Sequence, residues 1–289
     1  MVEQRDIDII LNNPIDWECF RNKTVLITGA TGRLGMYIVE AINKADIDWN
    51  LNITIIAMAR SEKKLQEVFR NSLQLPNIHT IVQTIEEPIL WDGDVHYIFH
   101  TAGAASPQDF TNQPVDTLWG HLQGTRNILE LAKEKRIQKI MYVSTVETYG
   151  EWKSEEGIRE DDMGPMHCDN ARACYPEAKR MCETMLASYE AQYGISYMGV
   201  RLCHTLGPGI SLTDGRGFAE FIKNVVDGQD IVLHSDGSAQ RTYTYVADAI
   251  GAMLLAFTKG KDYYYNIANL ENLISVRDLA NLIAGLDPK

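Results

Sequence analysis

The stretch "TVLITGATGRLG", residues 24–35, runs from a β-branched apolar segment through three glycines into a helical pattern. Thr24 to Thr28 suit a buried strand, and "GRLGMYIVEAINKA" carries apolar side chains at helical spacing. Gly29, Gly32 and Gly35 stand three apart at the junction. Glycines let the backbone turn tightly and approach a phosphate, while a helix start supplies unpaired N–H donors and a positive dipole end. Thr31, Gly32, Arg33 and Leu34 therefore join Gly29 and Gly35 as candidates for holding a phosphate-bearing cofactor. The spacing G-x-x-G-x-x-G differs from G-x-G-x-x-G, and an ordinary strand-to-helix turn could use the same glycines. Position after the first strand of an alternating pattern favours the phosphate loop.

That alternation extends outward. Short apolar runs recur as "NITIIAMA" (52–59), "HTIVQT" (79–84), "VHYIFHT" (95–101), "KIMYVST" (139–145) and "SYMGVRL" (196–202), with amphipathic stretches such as "TRNILELAKEK" between them. Strands apolar on both faces that alternate with helices predict an α/β fold, a doubly wound parallel sheet covered by helices on each side. Beyond residue 203, glycine and proline cluster in "LGPGISLTDGRG" and the alternation becomes irregular. The expected division is a leader at 1–22, a dinucleotide-binding domain at 23–195 and a smaller substrate-binding lobe at 196–289, with strand 196–202 returning to the sheet. The leader is expected to dock Ile9, Ile10, Trp17 or Phe20 onto the main body.

Bulk properties narrow the partners. The chain has 289 residues and a net charge of −12, from 27 basic and 39 acidic residues. Such a surface repels phosphate backbones, which argues against nucleic acid but leaves room for a small anion held by local arginines. Cysteines 19, 168, 174, 182 and 203 form no C-x-x-C pair and no metal-ligand spacing, which fits reduced thiols, a cytosolic setting and no metal. The opening "MVEQRDIDIILNNPIDWECF" lacks a basic signal region, and no apolar run is long enough to cross a membrane.

The end of the second strand reads Ala57, Met58, Ala59, Arg60, Ser61. A carboxylate there would bind a ribose 2′-hydroxyl, whereas arginine suits a 2′-phosphate. Arg60, with Arg33 of the glycine loop, either pairs with such a phosphate or stands solvated at the surface. The expectation is that NADP binds at least as well as NAD.

Two further segments carry chemistry. In "STVETYG" (144–150), Thr145 and Glu147 lie two apart at a strand end, so strand alternation would point both the same way. In "CYPEAKRMCE", Tyr175 and Lys179 lie one helical turn apart. A free phenol titrates near ~10, and a nearby ammonium together with a positive nicotinamide would favour the phenolate. Thr145 could then share the proton and orient a substrate hydroxyl. An exposed Tyr/Lys pair at this spacing is also common on helices.

Together, "TGATGRLG", Thr145, Tyr175 and Lys179 resemble the short-chain dehydrogenase/reductase superfamily, and later segments resemble its extended branch, the NAD-dependent epimerases and dehydratases of nucleotide sugars. "HTAGAASP" (100–107) is similar to that branch's loop after the fourth strand, "RLCHTLGPG" (201–209) to its R-x-x-N-x-Y-G-P segment, and "DGSAQRTYTYVADA" (236–249) to its arginine-bearing Y-V-x-D segment. "YYYNIANLENLISVRDLA" looks like its closing strand and helix. The resemblance runs from about residue 23 to the end. It implies a Rossmann sheet and a retained, tightly bound NAD or NADP. It also implies a nucleotide-diphosphate sugar as substrate and a homodimer paired through helices near 113–135 and 175–193. By the same resemblance Thr145, Tyr175 and Lys179 are the catalytic set. Ala102 and Gly103, with Tyr175 and Lys179, touch the cofactor, while Ser106, His204 and Arg241 face the substrate.

Departures from the family pattern bear on the substrate. His121 replaces an Asn, His204 and Leu206 replace the usual Asn and Tyr, Thr84 stands where an Asp often meets adenine, and the chain stops at Lys289, earlier than relatives do. His121 and His204 could equally be packed, hydrogen-bonded histidines. The family's 4,6-dehydratases read T-D-E-x-Y-G, and this chain keeps the Glu as Glu147 but has Val146 for the Asp. A carboxylate near sugar C5 can act as a base once C4 is a ketone. Loss of water also needs an acid, which valine is not. The implied activity is thus an epimerase or dehydratase working through transient oxidation at C4. A decarboxylase or 4-keto-sugar reductase is the alternative, and a non-catalytic dinucleotide sensor is the alternative of another class.

Overall fold

The computed structural model describes residues 2–151, 157–212 and 214–286. The first helix, α1 (Gln4–Leu11), precedes β1 (Thr24–Thr28), α2 (Arg33–Trp49), β2 (Thr54–Ala59), α3 (Glu62–Val68), β3 (Ile78–Val82) and β4 (Tyr97–His100). Then come α4 (Pro107–Asn112), α5 (Pro114–Lys135), β5 (Lys139–Thr145), α6 (Cys174–Tyr193), β6 (Tyr197–Leu202) and β7 (His204–Leu206). The remainder is α7 (Gly217–Val226), β8 (Gln240–Tyr245), α8 (Val246–Lys259), β9 (Tyr264–Ile267), β10 (Leu273–Ser275) and α9 (Val276–Ala284).

Seven parallel strands form the main sheet in the order β3-β2-β1-β4-β5-β6-β9. Strand residues alternate between two apolar layers. Val25, Ile27, Ile55 and Met141 join α1, α2 and α8 on one side, whereas Leu26, Ile56, Ile98 and Ile140 join α5 and α6 on the other. Burial on both faces explains why the runs read as continuously apolar. The order reverses between β1 and β4, and a ligand crevice opens at the carboxyl ends of strands at such a switch point.

The smaller layer is a three-stranded sheet, β10-β8-β7, closed by α7 and α9 around Phe218, Phe221, Tyr243, Leu279 and Ile283. Residues 197–202 form β6, which pairs with β5 in the main sheet. In addition, α8 and β9 lie beyond residue 195 yet belong to the large layer, so the chain passes between the layers more than once.

The leader is part of the core. Ile7, Ile10, Ile15, Trp17 and Phe20 are buried, with Phe20 stacked on Phe257 at 5.9 Å and Trp17 on Trp49 at 5.8 Å. Asp6 is buried too, where it accepts hydrogen bonds from Tyr37 Oη on α2 (2.6 Å) and Tyr245 Oη at the end of β8 (2.9 Å).

Candidate functional site

The crevice starts where β1 ends. Gly29 has φ +65°, and a Cβ there would stand 2.9 Å from the Ala102 backbone nitrogen; a Cβ on Gly35 would meet the Gly29 carbonyl at 2.4 Å. The close approach of strand, loop and helix therefore requires both glycines. Gly32 caps α2 without a side-chain bond, and Met36 is the first helical N–H to close, onto the Gly32 carbonyl at 2.9 Å. Among the described residues the N–H groups of Arg33, Leu34 and Gly35 are thus left without a partner at the head of the helix, and they fit a dinucleotide pyrophosphate. Opposite, the β4 loop is fastened to β1: Thr101 Oγ1 donates to the Thr28 carbonyl (2.7 Å) and the Ala102 N–H to Thr28 Oγ1 (3.3 Å). Gly103 follows in the same loop.

Arg60 is exposed just past β2, with Ser61 capping α3 through Lys64 N–H. Arg33 turns elsewhere. Its Cγ lies 3.8 Å from where a Cβ on Gly209 would stand, against the loop before α7. Burial, then the Arg216 charge, hold its guanidinium down to about 10. The expected partnership of Arg33 with Arg60 around a single 2′-phosphate is not what the side chain's direction suggests.

A polar chain runs beneath this crevice. Thr28 Oγ1 pairs with His100 Nδ1 (2.9 Å), His100 Nε2 with Thr125 Oγ1 (3.3 Å), and Thr125 Oγ1 donates to Cys182 Sγ (3.1 Å). Full burial pushes His100 down to about 3, with Lys179 adding to the effect, so it is neutral. His121 is likewise buried and shifted well below its ordinary value, first by desolvation. Its Nε2 meets the Ala104 carbonyl at 2.9 Å, so this nitrogen carries the proton and the ring supports the β4 loop from below.

Thr145, Tyr175 and Lys179 come together at the mouth of β5. Thr145 is the last strand residue and Tyr175 lies in the first turn of α6. The Tyr175 ring stacks on Phe110 (4.2 Å between centroids, 15° between planes) and lies 5.5 Å from His121. Lys179 is buried and donates Nζ to the Val143 carbonyl at 2.7 Å. Burial lowers Lys179 to about 8, against the opposing pull of Cys182 and Glu183. Tyr175 is pushed up to about 12 by burial and then by the Glu147 charge, while the Thr145 hydroxyl, Arg216 and Arg172 pull the other way. The lowering expected from the Lys179 ammonium does not appear in the free protein, where burial dominates the phenol and Nζ, 5.9 Å from the Tyr175 ring centroid, donates to the Val143 carbonyl.

Glu147 reaches the same spot by a different route from strand alternation. β5 ends at Thr145, and Val146–Tyr149 form a 3-10 turn in which Thr145 Oγ1 accepts the Glu147 N–H at 3.3 Å. Glu147 Oε2 accepts from Arg172 Nη2 at 2.7 Å. The turn is pinned from behind, with Arg180 donating to the Thr148 carbonyl (2.5 Å) and Tyr149 Oη to Asn266 Oδ1 (2.5 Å). Arg201, from the "RLCHTLGPG" segment, is a buried post with Glu183 on one edge (2.7 and 3.1 Å) and the Tyr149 and Tyr264 rings on its faces.

The small lobe adds His204, stacked on Tyr243 at 5.4 Å and held down to about 4 by burial, then by Arg241 and Arg216. Arg241 is exposed on β8, bonded only through Nη1 to the Gln240 carbonyl among the described residues. Ser106 is engaged as the cap of α4, accepting from Asp109 N–H at 3.2 Å and donating to Asp109 Oδ2 at 2.8 Å. Arg172, Arg216, Phe110 and His100 were not singled out in the sequence, and only His100 carried a signal, as the strand-end residue of "HTAGAASP". Among the described residues no cluster of His, Cys, Asp and Glu could hold a metal.

Residues 25–268 match the NAD dependent epimerase/dehydratase family. The chain is 28% identical over 264 residues to UDP-glucuronic acid decarboxylase 1 of Danio rerio, covering 91% of this chain and 60% of that protein. With UDP-glucuronic acid decarboxylase 3 of Arabidopsis thaliana the identity is 29%, covering 84% and 68%. The chain thus spans about 60% of the length of the first curated relatives it matches. Among solved structures, UDP-glucose 4-epimerase of Thermotoga maritima with UDP-glucose superposes with a TM-score of 0.77 at 24% identity, covering 92% of this chain and 84% of that one. DesIV, a dTDP-glucose 4,6-dehydratase of Streptomyces venezuelae with NAD bound, gives 0.77 at 20% identity, covering 91% and 80%. These superpositions establish the shared fold.

Proposed function

The chain belongs to the NAD dependent epimerase/dehydratase family, and on that premise we propose that it is an NAD(P)-dependent enzyme acting on nucleotide-diphosphate sugars. It works through transient oxidation at sugar C4, with an epimerase or dehydratase outcome. The observation that carries this reading is the convergence of Thr145, Tyr175 and Lys179 on the crevice headed by the unclaimed N–H groups of α2. Gly29, Thr31, Gly32, Arg33, Leu34 and Gly35 hold the pyrophosphate from one wall, with Ala102 and Gly103 on the other. Bound there, a dinucleotide supplies reversible hydride acceptance and is retained between turnovers.

Tyr175 exchanges a proton with the C4 hydroxyl and Thr145 orients that hydroxyl. With Tyr175 near 12 and Lys179 near 8, both carry protons in the free protein at neutral pH. Positive charge brought in beside the phenol is what makes it a base. Arg241 and His204 meet the sugar diphosphate. Absence of a carboxylate at the β2 tip, with Arg60 beside it, supports NADP binding at least as well as NAD; NAD is the cofactor named for solved relatives.

Decarboxylation is the second reading, and Val146 favours it. Oxidation at C4 of a sugar acid gives a β-keto acid, which loses carbon dioxide with the bond electrons left on C5, and no acid is needed at residue 146. The curated relatives named above are decarboxylases. Incubation with UDP-glucose, UDP-glucuronate and dTDP-glucose, followed by product mass, separates the outcomes: loss of water, loss of carbon dioxide, gain of two hydrogens, or epimerisation at constant mass. Tyr175→Phe is expected to cut turnover by ~10²–10⁴-fold without changing the melting temperature; near-normal turnover would remove the phenol from the chemistry.

Pairing of two copies through α5 and α6 is supported by exposed Val115, Trp119, Met181 and Tyr193 on those helices, whereas Ala178 and Leu186 are buried within the subunit. Sedimentation velocity checks it. The cysteine pattern supports a cytosolic setting.

A further inference from the structure

Two ion pairs flank the Tyr175 phenol, and they are not equally committed. Arg216, from the segment before α7, donates Nη2 to the Ala105 carbonyl (2.8 Å) and holds Asp214 through Nε (3.1 Å), with side chains 23% and 18% exposed. Arg172, in the turn leading into α6, bonds Glu147 through Nη2 alone among the described residues (2.7 Å), with both side chains 40% exposed. Its guanidinium lies 4.7 Å over the Phe110 ring, and Phe110 stacks on Tyr175. Guanidinium, phenyl and phenol follow one another in a stack, which fixes the guanidinium one ring away from the phenol, and among the described residues Nε and Nη1 make no bond.

An exposed pair of this kind contributes little stability, so a second anion can share the guanidinium at small cost. With one Nη2 hydrogen on Glu147, the guanidinium still has a planar edge made of Nη1 and the second Nη2 hydrogen, and such an edge matches a carboxylate. Without Arg172, a carboxylate brought to this end of the crevice would face Glu147 unopposed and be repelled. We propose that Arg172 is the seat for a carboxylate on the substrate's sugar ring, which makes the preferred ligand a nucleotide-diphosphate uronic acid over its neutral counterpart. The proposal rests on the nucleotide-sugar reading above.

Calorimetric titration of the full chain, loaded with dinucleotide, with UDP-glucuronate and with UDP-glucose tests it. The wild-type protein is expected to favour UDP-glucuronate by about tenfold or more, the usual scale of a charged hydrogen-bonded pair. Arg172→Gln is expected to bring the ratio to about one while UDP-glucose affinity changes by less than about twofold. Arg172→Lys, which keeps the charge but loses the fork, is expected to retain part of the preference, and it carries the test should the glutamine variant fold poorly. Glu147→Gln removes the competing carboxylate and widens the ratio. Equal affinities in the wild type, or a ratio unmoved by Arg172→Gln, would overturn the seat and leave the nucleotide-sugar reading standing. Binding of neither ligand would overturn both.

Discussion

Two arginine–carboxylate pairs bracket the end of β5, and burial makes them opposites. Arg201 and Glu183 have side chains 4% and 7% exposed, and Glu183 also accepts from Ser144 Oγ at 2.6 Å. Arg172 and Glu147 have the same 2.7 Å contact but are 40% exposed on each side. In the first pair every strong donor finds a partner, because two charges withdrawn from water cost several kcal/mol unless fully compensated. In the second, water does much of that work, so the pair is free to take a ligand. The same two residue types serve as a post in one place and as a receptor in the other, and exposure decides which.

The largest break in that comparison is expected at Glu183. Glu183→Ala leaves the Arg201 guanidinium buried without its counter-charge and should cost ~3–5 kcal/mol of stability, measured by urea denaturation. A loss below ~1 kcal/mol would mean the post is dispensable.

Next comes the neutral His100 behind the same strands. Its folded value of about 3 lies below its unfolded one of 6.5, so between these values the unfolded chain binds the extra proton. Stability from this group is present above the unfolded value and falls as pH drops from 6.5 toward 3. The slope approaches ~1.4 kcal/mol per pH unit for one proton. His100→Gln should remove one proton's worth of slope from stability measured between pH ~4 and ~6, an interval set by the two titrations; an unchanged slope would show His100 charged in the fold.

The smallest effect on stability is expected at the exposed pair. Glu147→Gln should shift unfolding free energy by no more than ~1 kcal/mol. It should nonetheless abolish solvent deuterium exchange at sugar C5 while leaving cofactor reduction measurable. Undiminished exchange would take Glu147 out of the mechanism, and a large loss of stability would erase its contrast with Glu183.

Much of the main layer was legible because it is periodic. The β1 loop and α2 announce themselves by three glycines between a strand pattern and a helix pattern, and β6 by an apolar run. The return of β9 was not, since "YYYNI" is short, aromatic and only partly buried. Thr145 and Glu147 were rightly brought together for a wrong reason: the strand stops between them, and a 3-10 turn carries the carboxylate inward. Arg172 sits in a short turn with no repeating pattern, so its layering with Phe110 and Tyr175 depends on contacts across 62 and 65 positions of sequence separation from Phe110. The direction of Arg33 likewise depends on a loop from the other lobe, more than one hundred and seventy residues away.

Asp6 gives the first helix a job that composition hides. One carboxylate grips a tyrosine on the helix that starts at the glycine loop and another at the foot of the strand bearing Arg241. A protein shortened to begin at Asn12 would lose a single bolt shared by the cofactor side and the sugar side, and their alignment would loosen together.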